Sequence, residues 1–157
     1  MLTINAPDYI GIIKVIPEKN VNPAMKTSEE IELIGMEVAN DFERKNNRNP
    51  EDISKENLGY DIRSTEHSED GKIIQRRYIE VKARSAVGDI SLTANEMLKA
   101  KRFQDEYFLY VVFNAASTPY IVIIQNPAEK LEANEQLGVV RYIVSSNEIN
   151  EKGDEVQ

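Results

Sequence analysis

The 157-residue chain contains no cysteine. That excludes a disulfide scaffold and any thiolate-held metal, and it suits a reducing compartment. There is one histidine, His67, in a polar stretch. A triad has nothing to build on, because no cysteine nucleophile exists and no serine sits in a nucleophile motif. There is no glycine-rich phosphate loop, so the sequence carries no ATPase of its own. No apolar run approaches the roughly 20 residues that span a bilayer. The first residues lack the basic start and apolar stretch of a signal peptide. These absences predict a cytoplasmic protein with no membrane span. Internal repeats and low-complexity tracts are also missing.

What is present reads as one soluble domain with a real core: 41% of residues are hydrophobic and 29% charged. The net charge of −8 argues against a general nucleic-acid coat. Its distribution qualifies that. From Lys72 to Arg102 there are eight basic residues against three acidic, a net of +5 that leaves −13 on the remainder. A basic band in an acidic protein can steer a phosphate backbone, although solvated helix faces and strand edges produce the same pattern.

Tyr9 to Ile16 is β-rich and stops at Pro17, which predicts a strand, and Glu18 to Lys26 resembles a linker. Residues 1–26 are thus set apart from a main domain over 27–146. That domain opens on Thr27-Ser28-Glu29-Glu30, a capping-box pattern. Ile31, Ile34, Val38 and Phe42 follow at helical spacing. A short strand is expected around Ile53, then strands over Leu58–Thr65 and Lys72–Arg84 joined as an antiparallel hairpin. Thr93 to Gln104 reads as a second helix. Tyr107 to Phe113 is an apolar run expected to be buried on both faces. Tyr120–Ile124 and Val139–Val144 are further strands. Residues 147–157 are expected to form a flexible acidic tail. The order predicts an α/β sandwich with a mixed sheet.

The chemistry concentrates in Gly59-Tyr60-Asp61 and Ile79-Glu80-Val81-Lys82. Residues two apart on a strand share a face, so Glu80 and Lys82 point together while Val81 turns to the core. The hairpin would bring Asp61 beside them. Asp61, Glu80 and the Val81 carbonyl form an oxygen set suited to Mg²⁺ or Mn²⁺. Lys82 would hold or help deprotonate an attacking water and balance charge on a phosphate. Glu37, at the edge of the first helix's apolar stripe, is a candidate second acid. Each residue alone has a bland alternative: a same-face ion pair, a turn aspartate, a solvated helix glutamate. Arg76, Arg77, Arg84, Lys99, Lys101 and Arg102 are candidates for tracking a nucleic-acid backbone, with base readout not inferable.

Five blocks stand out in order: Ile34-Gly35-Met36-Glu37, Asn57-Leu58-Gly59-Tyr60-Asp61-Ile62, Tyr78-Ile79-Glu80-Val81-Lys82-Ala83, Leu92-Thr93-Ala94-Asn95-Glu96 and Tyr107-Phe108-Leu109-Tyr110-Val111-Val112. On these blocks the chain resembles the NO VEIN C-terminal domain family, within the PD-(D/E)xK nuclease-like superfamily. The resemblance implies a restriction-endonuclease-like α-β-β-β-α-β core with extra C-terminal strands. It assigns Asp61, Glu80 and Lys82 to the nuclease signature and Glu37 to the first-helix acid. It also places Asn95 and Glu96 at a helix start that presents N–H groups to a phosphate, with plain capping as the alternative. The proline that the superfamily carries before its first aspartate is replaced by Leu58-Gly59-Tyr60. Flanking segments are similar to the C-terminal region of Snf-type helicases, which implies a helicase module in a longer parent chain.

Two readings follow. One is a Mg²⁺-dependent nuclease-like domain acting on nucleic acid, chiefly DNA, beside a helicase in restriction or repair. The other is a catalytically inactive module that binds nucleic acid or protein for that helicase.

Overall fold

The structure, a computed structural model, describes residues 26–136 and 141–156. The expected strand over Tyr9–Ile16 and most of the linker lie outside these residues. Helix α1 spans Ser28–Lys45. Its start is a capping box: the Thr27 hydroxyl accepts from Glu30 N at 3.2 Å, and Thr27 N donates to the Glu30 carboxylate at 2.7 Å. Strands β1 (Asn49–Asp52), β2 (Ile62–His67) and β3 (Ile73–Ala83) follow, then β4 (Ile90–Thr93) and helix α2 (Ala94–Phe103). Strands β5 (Tyr107–Phe113) and β6 (Tyr120–Gln125) lead to the short α3 (Pro127–Lys130), β7 (Asn134–Gln136), β8 (Arg141–Val144), α4 (Ser146–Lys152) and β9 (Asp154–Val156). The α-β-β-β-α-β order is present, with β4 inserted before α2.

The central sheet runs β1-β2-β3-β5-β6-β9, and β4-β8-β7 form a separate small sheet. Within the central sheet only β3 and β5 are parallel. All seven residues of β5 are buried, because both faces of the sheet are covered. Phe108, Tyr110 and Val112 pack with Ile31 and Ala39 of α1. Leu109, Val111 and Phe113 pack the other way, with Met97 of α2 and Ile149 of α4. The first helix lies very close to the sheet at Gly35. A Cβ there would stand 2.6 Å from the Ala83 Cβ, so only glycine lets the helix reach the end of β3.

Where the sequence predicts a flexible tail, the described residues form α4 and β9. Ile149 is fully buried, and β9 adds an edge strand to the central sheet beside β6. Gly153 permits this, because a Cβ there would meet Val122 at 2.3 Å. Polar composition concealed a single anchoring apolar residue, Ile149 of α4.

A buried ionic network fixes the C-terminal end of α1 to the sheet. Glu43 is fully buried and accepts from Arg48 Nε at 2.9 Å, from Arg77 at 3.0 Å and from the Tyr110 hydroxyl. Arg48, itself 4% exposed, donates onward to Glu66 at 2.8 Å and Gln75 at 2.6 Å. Arg77 Nε is buried without a hydrogen-bond partner, and the network is unforgiving when one member is lost, because the partner is left charged and dry. Glu43→Ala is therefore expected to destabilise the fold by about 3–5 kcal/mol. Urea unfolding checks this: a loss under about 1 kcal/mol would mean that Arg48 finds other relief.

Candidate active site

The segment before β2 is a shaped turn rather than the expected continuation of strand from Leu58. Asn57 and Gly59 have φ of 51° and 85°, values that break a strand and that Asn and Gly tolerate best. Side chains from two other elements pin this turn. The buried Tyr107 hydroxyl donates to Gly59 O at 2.8 Å, and Asn95 Nδ2 donates to Asn57 O at 3.3 Å. Gly59 also lies so close to α2 that a Cβ would come 2.7 Å from Lys99 Cγ. The result is a fixed aspartate. Asp61 N donates to Ile79 O at 2.8 Å, while the Asp61 carboxylate accepts from Val81 N at 2.9 Å. Asp61 thus supplies with its side chain the rung that backbone would otherwise make.

On β3 the two-residue period does what the sequence predicts. Val81 and Ala83 pack toward the α1-side core, and Glu80 and Lys82 face the other way. Lys82 Nζ lies 2.6 Å from Glu80 and 2.9 Å from Glu96. The N–H and C=O of one strand residue point to the same edge. The Val81 carbonyl therefore faces the gap toward Asp61, where its N–H already points. Glu96 is itself held: it is the third residue of the α2 capping box, accepting from Thr93 N at 2.9 Å.

The electrostatics are dominated by burial. Glu80 is 4% exposed, and desolvation pushes its carboxyl up to about 8 against the pull of Lys82. Burial also raises Asp61, opposed by the Val81 N–H and Lys82. For Lys82, burial acts downward, yet Glu80 and Glu96 outweigh it and the ammonium is held above its ordinary range. One ammonium thus serves two carboxylates, with Asp61 close by.

Asp61, Glu80, Val81 and Lys82 line one open cleft of about 690 Å³, together with Glu96. Its α1 wall carries Glu29, Glu32 and Met36, and its β1 side carries Asp52 and Lys55. Glu37 does not line it and is exposed. Helical residues turn by about 100° each, so Glu37 lies roughly 200° from Gly35, the residue that touches the sheet. Glu32, three positions before Gly35, is on the side that faces the cleft. Glycine in mid-helix was the available signal for that face. The basic residues are likewise divided. Asn95 lines a smaller adjoining cleft, and Lys99 and Arg102 share its face of α2 at i+4 and i+7. Lys101 is turned roughly 120° away from that face. Arg84 extends β3 by donating to Val112 O at 2.9 Å, and it lines neither cleft. Arg77 is spent on Glu43.

The chain is a mixed α/β fold whose central six-stranded sheet carries Glu80 and Lys82 on β3, with Asp61 in the turn before β2 and Glu96 on α2. The family model described as Protein NO VEIN, C-terminal, matches residues 31–124, and the chain belongs to that family. The match covers Asp61, Glu80, Lys82 and Glu96 and leaves out Glu29. The family is named for the C-terminal part of a larger protein. No curated protein and no solved structure matches the chain. Among the described residues no helix is long and apolar enough to cross a membrane.

The raised Glu80 carboxyl has a thermodynamic consequence. Between its ordinary value of 4.5 and about 8 the folded chain keeps a proton that the unfolded chain releases. Its contribution to stability is therefore full below about pH 4.5 and is lost as pH rises toward 8. Without divalent cations, Glu80→Gln should flatten the fall in melting temperature between pH 5 and 8 and match or exceed the native chain at pH 8. Thermal melts across that range check it. An unchanged slope would contradict the assignment.

Proposed function

We propose that this chain is a Mg²⁺-dependent nuclease-like domain of PD-(D/E)xK type, hydrolysing phosphodiester bonds in nucleic acid, chiefly DNA. We place it as an accessory domain of a helicase in restriction or repair. The observation that carries the reading is that Asp61, Glu80 and Lys82 line one solvent-reachable cleft. The donor set fits a hard cation. It is all oxygen, and the cleft carries six carboxylates against two ammonium groups. Asp61, Glu80 and the Val81 carbonyl would hold Mg²⁺ or Mn²⁺, with water filling the remaining positions. When bound, such a cation supplies Lewis acidity toward a phosphoryl oxygen.

The chain's own groups do the rest. Lys82, kept protonated by two carboxylates, offsets charge that builds on the phosphate and orients the incoming water. The water oxygen forms a new bond to phosphorus and gives up a proton to solvent, the ester bond breaks, and the leaving oxygen takes up a proton from solvent. Glu96 restrains the lysine, and the capped start of α2 restrains Glu96. Val81 N–H restrains the Asp61 carboxylate.

One observation favours the second reading, a binding module with a vestigial site. Among the described residues, no three His, Cys, Asp or Glu side chains are grouped so that they could hold a metal ion. The two readings separate in one experiment. The purified chain is incubated with circular, linear and single-stranded nucleic acid plus Mg²⁺ or Mn²⁺. If the first reading holds, cleavage appears, a chelator stops it, and Asp61→Ala lowers it by at least about 100-fold, the scale of one lost catalytic interaction. Binding that needs no metal and survives Asp61→Ala, with no cleavage by the native chain, would establish the second.

A further inference from the structure

The large cleft meets a smaller one at the carboxylates. The smaller has a volume of about 170 Å³ and shares Ser54, Asp61, Glu80 and Glu96 with the larger. Asp61 and Glu80 therefore stand on a saddle between two openings. The small cleft is otherwise walled by Asn57, Tyr60, Thr93 and Asn95, with no lysine or arginine. A phosphate finds no cation there. The amide groups of Asn57 and Asn95 and the Thr93 hydroxyl suit the uncharged part of a nucleotide, its sugar or base. At the start of α2 the Thr93 hydroxyl takes the Glu96 N–H, and the Glu96 carboxylate takes the Thr93 N–H.

The two openings differ in charge outside the saddle. The large cleft leads out past Glu29, Glu32 and Asp52, with Lys55 the cation on that side. The small cleft leads to the face of α2 that carries Asn95, Lys99 and Arg102. Lys99 begins at its rim, since Lys99 Cγ lies against Gly59. Leu98, 63% exposed, stands beside this row. Lys99 and Arg102 lie 5.9 and 5.8 Å from the ring centre of Phe103, which stacks on Tyr78. Phosphates flanking the saddle are thus repelled on one side and attracted along the other.

We propose that the substrate is an unpaired strand. One of its nucleosides occupies the small cleft, and the adjoining phosphates run along the Asn95–Lys99–Arg102 face of α2. This rests on the phosphodiesterase reading and adds strandedness and direction to it. A base enters a pocket of this kind only when it has left the duplex stack. A duplex laid across the saddle would also set its second backbone against the acidic α1 wall.

Binding tests this without cleavage. Fluorescence anisotropy is measured with labelled oligonucleotides in Ca²⁺ instead of Mg²⁺. A single strand should bind at least about 10-fold more tightly than a duplex of the same sequence, and a fully abasic strand about 10-fold more weakly than the base-bearing one. The pair Lys99→Glu/Arg102→Glu should weaken single-strand binding by about 100-fold. The pair Lys99→Ala/Arg102→Ala, which removes two cations without adding acids, should lower the salt slope by about 1.4. Matching far-UV spectra establish that the variants fold. Duplex binding as tight as single-strand binding, or indifference to the α2 substitutions, overturns the proposal. Faster Mg²⁺-dependent cleavage of duplex overturns it too, while leaving the nuclease reading intact. Single-strand preference that depends on Lys99 and Arg102, without any cleavage, upholds the unpaired strand and its path along α2 and removes the nuclease reading, the strand then being bound and not cleaved.

Discussion

The Lys82 ammonium stands between the carboxylates of Glu80 and Glu96, at 2.6 and 2.9 Å, and Asp61 lines the same cleft. Three acids around one base, with Glu80 almost fully out of water, is an arrangement short of positive charge. Two ways of relieving it are open. Glu80 keeps its proton, which desolvation favours up to about pH 8, or a cation joins the cluster and lets it ionise. The functional reading follows from the second, because hard cations choose oxygen donors.

The fold's less ordinary features serve to hold that cluster. Gly35 brings α1 against Ala83 at the end of β3. The Glu43–Arg48–Arg77 network secures the far end of the same helix. Tyr107, in the strand beside β3, reaches across to Gly59 and fixes the turn that presents Asp61. The α2 capping box holds Glu96 against Lys82. These are contacts between separate elements. Shifting one element would move a single member of the cluster relative to the others, and an ångström matters to such sites.

That dependence explains what could be read from the amino acids and what could not. Glu80 and Lys82 were legible because a strand's two-residue period is rigid. Asp61 was legible because a hairpin partner follows from the polar turn between two β-rich runs. The helix α1 announced itself through its capping box. Glu37 was misplaced because the face of a helix that meets a sheet is set by tertiary contact. Composition marked a broad apolar stripe, whereas the touching residue, Gly35, carries no hydrophobic signal. The turn at Asn57–Gly59 passed for strand because its conformation is dictated by Tyr107 and Asn95, 48 and 38 residues away. The Glu43 network was invisible for the same reason. The basic band dissolved into separate fates, since Arg77 and Lys82 are consumed by buried acids while Lys99 and Arg102 remain on one helix face.

Manganese titration followed by electron paramagnetic resonance addresses the cation site directly, with no substrate involved. The native chain is expected to remove free Mn²⁺ from solution saturably, and Asp61→Asn and Glu80→Gln are each expected to weaken that uptake by about 10-fold or more. A native chain that leaves the free Mn²⁺ signal unchanged, or variants that bind as the native does, would contradict the claim that this cluster is built around a divalent cation.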